Sequence, residues 1–192
     1  ETGYLGRSYR EAAGACALPA SDPAASVQLL AQGLSELGLT KLPTVTVLCV
    51  NDEETKMTVN VMLGEWRNTL GYYFNLEAVT QAELERRVAG GNYQLALVPV
   101  RANEDGPRSF ISAVLQAARG SVPEIDALSP RLYSDTVAAA KEAEQLLLDR
   151  GIFYPLYYQS RYYAIQRGIT DLVVFPYGGF IDFYRAGKLD QK

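Results

Sequence analysis

The stretch from Leu42 to Val79, LPTVTVLCVNDEETKMTVNVMLGEWRNTLGYYFNLEAV, predicts a strand, a helix and a second strand in one continuous unit. Thr44–Val50 is rich in β-branched and apolar residues, which is typical of a buried strand. Apolar residues then recur at helical spacing until Gly71: they are Val59, Met62, Leu63, Trp66 and Leu70. Tyr72–Val79 predicts the second strand. Two strands joined by a helix this long are expected to pair in parallel.

The flanking segments extend this unit in both directions. Upstream, Asp22 and Pro23 offer an N-cap and a first-turn proline for a helix whose apolar face is Val27, Leu30, Leu34 and Leu37. Downstream, Thr80 is placed to cap a helix over Gln81–Ala89, with Glu83 in capping-box position. Tyr93–Val98 follows as a third strand, and its nearly continuous apolar character predicts burial on both faces.

The remainder of the chain alternates helices with short apolar runs. A helix is predicted over Arg108–Ala118, an irregular segment over Gly120–Leu132, and a second helix from a cap at Ser134 or Asp135 to Gly151. That helix carries a predicted solvated face of charges: Lys141, Glu142, Glu144 and Asp149. Short β runs are predicted at Ile152–Tyr158, Tyr162–Ile165 and Leu172–Phe175, before a terminal apolar segment at Phe180–Tyr184.

Composition limits the classes of function. The chain has 192 residues, of which 48% are hydrophobic and 21% are charged, so a single globular domain is expected. A net charge of -4 without a basic cluster argues against nucleic acid and against docking on an anionic membrane. No apolar run approaches the roughly 18 residues that a membrane span needs, and the first residues lack a secretion-signal pattern.

Residues for covalent chemistry are scarce. The sequence contains no histidine, which removes Ser-His and Cys-His dyads and most zinc sites. It also lacks dinucleotide, phosphate-loop and hydrolase-elbow motifs. We therefore expect no enzyme activity, no cofactor and no metal. Cys49 lies in the first strand and is interpreted as a small buried hydrophobe, while a disulfide with Cys16 stays open.

Two stretches are candidate ligand sites on residue chemistry alone. Pro99–Pro107 is a charged, proline-bounded loop that follows the third predicted strand, and ligands of open parallel sheets bind beyond the carboxyl ends of the strands. A solvated turn is the alternative. Five tyrosines lie between Tyr154 and Tyr163, and they could stack on a ligand or fill a sheet surface.

The order of these features resembles the C-terminal lobe of the oligopeptide- and dipeptide-binding receptors of ABC importers, extracellular solute-binding protein family 5. The resemblance covers nearly the whole chain. It consists of the successive segments AASVQLLAQGLSELGL, TVTVLCV, MLGEWRNTLGYYFNLEAV, ELERRVAGGNYQLALVPV, PRSF, AAAKEAEQLLLDRG, FYPLYYQSRYYAI and GFIDFYRA.

The resemblance implies an α/β fold: a three-layer sandwich with a mixed, mostly parallel sheet, helices on both faces, and the form of a type II periplasmic-binding-protein-like lobe. Residues 1–192 would be a single domain and one lobe of a larger two-lobed protein, with residues 1–22 as an irregular lead-in from the hinge. The ligand would be enclosed between the lobes, so a missing N-terminal lobe of the same polypeptide would supply the other wall.

The family's ligand loop carries a Trp and then an Asp that holds the amino terminus of a peptide. Counting back from Pro107, these positions fall at Val100 and Asn103, so Glu104 or Asp105 would have to supply the carboxylate. Without one, the ligand would not be held by a free amino terminus. The candidate ligand-binding residues are Val100, Arg101, Asn103, Glu104, Asp105, Arg108 and, as secondary candidates, Tyr158 and Arg161.

As function, the resemblance implies capture of a peptide or another small polar solute and its delivery to the membrane permease of an ABC importer. The location would be the periplasm or the extracellular face of the cytoplasmic membrane, with lipid anchoring through a segment upstream of this chain. A ligand-sensing domain of a cytoplasmic transcriptional regulator is the alternative, and an enzyme is the third class.

Overall fold

The computed structural model describes residues 18, 20–104, 106–117, 123–128, 130–134, 136–157, 159, 162–175, 177 and 180–189. These residues form two compact units. The N-terminal unit comprises the described residues of Pro19–Pro99 together with Ala117, and the C-terminal unit comprises Leu18 and the described residues of Val100–Gln116 and Gly120–Lys192. Most of the predicted lead-in at residues 1–22 lies outside the described part. The assignment of residues 1–192 to one lobe stays a prediction.

The N-terminal unit is built on a parallel sheet. Its elements are α1 (Pro23–Glu36), β1 (Val45–Val50), α2 (Glu53–Leu70), β2 (Phe74–Val79), α3 (Gln81–Ala89) and β3 (Leu95–Ala96). The strand order is β2-β1-β3, and both pairings are parallel. The predicted β-α-β unit is therefore confirmed, with β1 as the central strand.

Short polar side chains set the helix boundaries in this unit. The Asp22 carboxylate accepts a hydrogen bond from the Ala25 N–H at 2.9 Å, and Thr80 Oγ1 accepts one from the Glu83 N–H at 3.3 Å, so both predicted N-caps are confirmed. Gly71 ends α2 at φ 74°, a left-handed conformation that favours glycine.

Helices cover both faces of this sheet. Val47 and Cys49 point to one face, where they pack with Val59 and Leu63 of α2. Trp66 and Phe74 complete that layer, with ring centroids 5.2 Å apart. Leu48 and its partner in the parallel register, Glu77, point to the other face. The Glu77 carboxylate forms an ion pair with Arg87, which places α3 on that face. The predicted three-layer arrangement is thus present in this unit.

The C-terminal unit is mainly helical. Its elements are α4 (Pro107–Ala117), α5 (Pro123–Leu128), α6 (Arg131–Ser134), α7 (Thr136–Asp149), β4 (Ile169–Thr170), β5 (Val173–Val174), β6 (Ile181–Asp182) and β7 (Gly187–Lys188). The strands pair antiparallel, β4 with β7 and β5 with β6. α4 and α7 supply most of the core: Ile111, Val114, Leu128, Leu132, Ala139, Ala140, Ala143 and Leu147 are all buried.

Several expectations for the strands are wrong. The third strand is Leu95–Ala96 rather than Tyr93–Val98, and Leu95 is 41% exposed instead of buried. The described residues of Ile152–Tyr158 and Tyr162–Ile165 are not strands. Their tyrosines are exposed and therefore provide no buried face on which a sheet could form.

Two expectations for the helices are wrong as well. The predicted irregular segment Gly120–Leu132 contains α5 and the start of α6. Pro123 is the first residue of α5, a position at which proline is compatible with a helix. On α7, Glu144 is 1% exposed rather than part of a solvated face. It lies on the stripe of Ala140 and Leu147, four residues after the first and three before the second, and that stripe faces the core.

Candidate functional site

The predicted ligand loop opens the C-terminal unit. Upstream of it, the Leu97 N–H donates to the Leu48 carbonyl at 2.8 Å and continues the β3 pairing past the end of the strand. The loop then runs from Val100 to Gly106 and leads directly into α4. Of the candidate residues, Asp105 lies outside the described part.

Residues that anchor the loop alternate along the chain with residues that face solvent. Val100 is half-buried and packs against a cluster that contains Val114 of α4 and Leu147 of α7, while Ala102 is 7% exposed. Arg101 and Asn103 are exposed. This alternation holds the loop against the helices and leaves polar side chains available for contact with a ligand.

A hydroxyl group of α4 fixes the middle of the loop. Ser109 Oγ accepts hydrogen bonds from two consecutive backbone groups, the N–H of Asn103 at 2.9 Å and the N–H of Glu104 at 3.3 Å. The Gly106 N–H then donates to the Glu104 carbonyl at 3.0 Å, which closes a turn before the helix. The side chains of Asn103 and Glu104 remain exposed.

Arg108 is the second residue of α4 and directly precedes Ser109. Its guanidinium carbon is 4.2 Å from the ring centroid of Tyr133, a cation–π distance. Tyr133 is 70% exposed, so the stacked pair lies on the surface of the C-terminal unit. Stacking on the ring restricts the orientation of the Arg108 guanidinium group. The N–H groups at the edge of the guanidinium plane can still donate hydrogen bonds.

The secondary candidates Tyr158 and Arg161 lie outside the described residues. Neighbouring tyrosines are described, and they are exposed rather than packed in a core: Tyr154, Tyr157, Tyr162 and Tyr163. Tyr162 is 92% exposed. The expectation that these tyrosines fill a sheet surface is therefore wrong for the four that are described.

The cysteine interpretation is confirmed for Cys49, which is a buried free thiol. Burial raises the pKa of the Cys49 thiol, and the nearby Asp52 carboxylate raises it further, whereas Lys56 acts in the opposite direction. A raised pKa keeps the thiol protonated and unreactive. Cys16 lies outside the described residues.

Two shallow grooves are present in the described part of the chain. One, of about 310 Å³, lies on the α3 face of the parallel sheet and is lined by Thr46, Leu48, Glu77, Arg87, Asn92, Tyr93 and Gln94. The other runs along α7 and is lined by Ala138, Lys141, Glu142, Gln145, Leu146 and Asp149. Neither groove includes a predicted site residue.

Analysis of the sequence missed two residues of this region, Ser109 and Tyr133. Their roles depend on which backbone groups and side chains the fold brings within reach. A serine in the first turn of a helix that follows a loop was the only available signal for Ser109.

The described part of the chain contains neither a metal-binding cluster nor a membrane-spanning helix. No three His, Cys, Asp or Glu side chains in it are placed to hold a metal ion. None of its helices has both the length and the apolar character for crossing a bilayer.

Comparison with solved structures identifies proteins of similar fold. No protein-family model matches the sequence, and no curated protein matches it. OppA of Listeria monocytogenes bound to peptide matches with a TM-score of 0.77 and 18% identity over 99% of this chain and 38% of its own. The substrate-binding domain of an oligopeptide ABC transporter from Bacillus anthracis str. Ames also has a TM-score of 0.77, with 16% identity over 97% of this chain and 39% of its own.

The pheromone receptor PrgZ, whose structure reports a mode of peptide binding, matches with a TM-score of 0.72 and 16% identity over 88% of this chain. This chain spans 34–39% of the length of these three proteins. The resemblance inferred from the sequence is therefore confirmed at the level of the fold: the chain folds like part of the type II periplasmic-binding-protein-like, oligopeptide-binding proteins of ABC transporters.

Proposed function

We propose that this chain is the ligand-binding lobe of an extracellular receptor that captures a peptide or another small polar solute and delivers it to an ABC importer. The observation that carries the proposal is the match of almost the whole chain to peptide-bound OppA at a TM-score of 0.77. The receptor would act in the periplasm or at the outer face of the cytoplasmic membrane. It would be anchored there by lipid through a segment upstream of this chain.

Exposed apolar surface supports a second lobe in the same polypeptide. The described residues of 154–189 in the C-terminal unit expose many large apolar side chains, among them Tyr162 at 92%, Phe180 at 70% and Tyr184 at 91%. Surfaces of this kind on soluble proteins are usually contact surfaces. A missing N-terminal lobe is the partner that agrees with a chain spanning 34–39% of its structural neighbours.

The loop from Val100 to Arg108 is the proposed ligand-contact surface of this lobe. The exposed side chains of Arg101, Asn103 and Glu104 would contact the ligand, and Arg108 would serve an acidic group. Val100, which packs against the α4 and α7 cluster, would contribute mainly by supporting the loop. Asp105, Tyr158 and Arg161 remain proposed ligand residues on sequence grounds.

The loop's side chains bear on the class of ligand. A neutral amide at Asn103 binds an ammonium group less strongly than a carboxylate does, so an amino terminus would need the exposed Glu104 carboxylate. A ligand with a blocked amino terminus would depend on the Asn103 amide instead. Comparing tetra-alanine with N-acetyl-tetra-alanine distinguishes these two modes.

A titration of this chain followed by amide chemical shifts tests the site. We expect tetra-alanine or its N-acetyl form to shift the amide signals of Arg101, Asn103 and Glu104. Binding by an isolated lobe should be weak because only part of the ligand is enclosed. Replacing both side chains, Asn103→Ala with Glu104→Ala, should weaken binding by at least about tenfold, since two polar contacts are lost.

The matched control is the pair Glu65→Ala and Asn68→Ala, which removes the same side-chain types from exposed positions of α2. This control should bind both peptides with wild-type affinity. Unchanged affinity in the loop variant, together with a binding wild type, would refute the assignment of the loop. Shifts confined to the grooves along α3 or α7 would relocate the site.

A further inference from the structure

Ser109 connects the ligand loop to α4 by two hydrogen bonds to its backbone. Its Oγ accepts from the N–H of Asn103 at 2.9 Å and from the N–H of Glu104 at 3.3 Å. These two residues carry exposed side chains, so neither side chain is held by core packing. The orientation of both therefore depends on how firmly their backbone is held.

The rest of the loop is anchored on either side of this point. Val100 packs against the cluster of α4 and α7 side chains, and Ala102 is 7% exposed. After the contact, the Gly106 N–H donates to the Glu104 carbonyl and the Phe110 N–H donates to the Gly106 carbonyl. Asn103 and Glu104 thus lie between two anchored segments, and Ser109 supplies direct side-chain hydrogen bonds to their amides.

We propose that Ser109 is a positioning residue for ligand binding: its hydroxyl holds the Asn103–Glu104 backbone in the orientation that presents both side chains to a ligand. The inference rests on the proposed function of the loop. Ser109 itself need not contact the ligand. A loop that is already ordered loses less conformational freedom on binding, and this improves affinity without any additional contact.

The size of the effect follows from the population of the ordered loop. If removal of the hydroxyl reduced the ordered fraction to about one tenth, the apparent Kd would rise about tenfold, because only that fraction is competent to bind. Threonine retains an Oγ at the same position and should preserve the two hydrogen bonds. Alanine removes the acceptor and leaves the helix propensity favourable.

Amide hydrogen exchange on the full 192-residue chain tests the hydrogen bonds without a ligand. In Ser109→Ala, the amides of Asn103 and Glu104 should exchange about tenfold faster, since each loses the Ser109 Oγ acceptor. Ser109→Thr should retain wild-type exchange at both amides. Ser112→Ala is the matched control, because Ser112 is an exposed serine on the same helix.

Titration with tetra-alanine and N-acetyl-tetra-alanine then tests positioning. Ser109→Ala should raise the Kd for the peptide that binds by about three- to tenfold when it is measured well below the unfolding temperature of the variant, whereas Ser109→Thr and Ser112→Ala should not. Wild-type exchange in Ser109→Ala, or faster exchange with unchanged affinity, would overturn the proposal. If the wild type bound neither peptide at this loop, the proposed function and its positioning role would both fail, although the exchange data would still establish the hydrogen bonds.

Discussion

Asp52 illustrates how one side chain sets an element boundary. Its carboxylate accepts a hydrogen bond from the Thr55 N–H at 2.8 Å and caps α2 directly after β1. The hydrogen bond from the Thr55 backbone is the main reason that the pKa of the Asp52 carboxyl lies below its usual range. A carboxyl group with a lowered pKa in the folded state stabilises the fold while it is ionised.

At the residue scale, we predict that Asp52→Ala lowers the free energy of unfolding by about 1 kcal/mol near neutral pH, because the N-cap is lost. Asp52→Asn should retain most of that stability, since an amide oxygen also caps. The contribution of the wild-type carboxylate is present above the ordinary aspartate pKa and is lost as the pH falls through the lowered folded-state pKa.

Urea unfolding between about pH 7 and about pH 2 measures this dependence. The wild type should lose stability relative to Asp52→Asn toward the acid end of that range. The Asp52 carboxyl group is protonated there, whereas the amide that replaces it in the variant does not titrate. Parallel curves for the two proteins across the whole range would show that the ionised state of Asp52 contributes nothing to stability.

At the element scale, Gln94 explains why β3 is short. Its side-chain amide takes the place of backbone at the start of the sheet: Oε1 accepts from the Thr46 N–H at 2.8 Å, and Nε2 donates to the Thr44 carbonyl at 3.3 Å. The side chain therefore pairs with β1 before the β3 backbone does. Two backbone groups at the start of β1, the Thr46 N–H and the Thr44 carbonyl, thereby obtain hydrogen-bond partners.

We predict that Gln94→Ala lowers the free energy of unfolding by about 1 kcal/mol, because two hydrogen bonds at the edge of β1 are replaced by bonds to water. Gln81→Ala is the control, since the Gln81 amide donates to Glu85 on the exposed surface of α3 and should contribute only about 0.3 kcal/mol. Urea unfolding of both variants provides the comparison. Equal losses would mean that the two Gln94 hydrogen bonds stabilise the fold no more than the exposed Gln81–Glu85 pair does.

At the scale of the whole molecule, the chain covers only part of the proteins that share its fold. It spans 34–39% of OppA, the Bacillus anthracis protein and PrgZ. Its C-terminal unit exposes aromatic side chains that a free-standing domain would normally bury. Both observations agree with the proposed receptor, in which a second lobe would complete the ligand site.

We predict that an antibody to this chain detects a protein much larger than 21.1 kDa in the membrane or exported fraction of the source cells. Immunoblots of separated membrane, exported and cytoplasmic fractions provide the measurement. A large band in the cytoplasm would favour the ligand-sensing regulator instead. A band at the mass of this chain would contradict the two-lobed receptor.

Local sequence signals determined the three helices and the first two strands of the N-terminal unit. The apolar periodicity of α2, the caps at Asp22 and Thr80, and the glycine at Gly71 each act within a few residues of themselves. Helices with such signals can be predicted because their stability depends on neighbours in the chain. The position of the loop after a strand of the parallel sheet was also predictable, and its role in ligand binding stays a proposal.

The tertiary structure alone decided the features that depend on distant partners. The tyrosine-rich runs form no strands in their described residues because the fold provides no buried face for them, and Glu144 is buried because the α7 stripe faces the core. Ser109 lies within hydrogen-bonding distance of the loop amides in a fold that also packs Val100 and buries Ala102. Patterns of hydrophobicity state which residues prefer burial, whereas the packed chain determines which polar groups come within hydrogen-bonding distance.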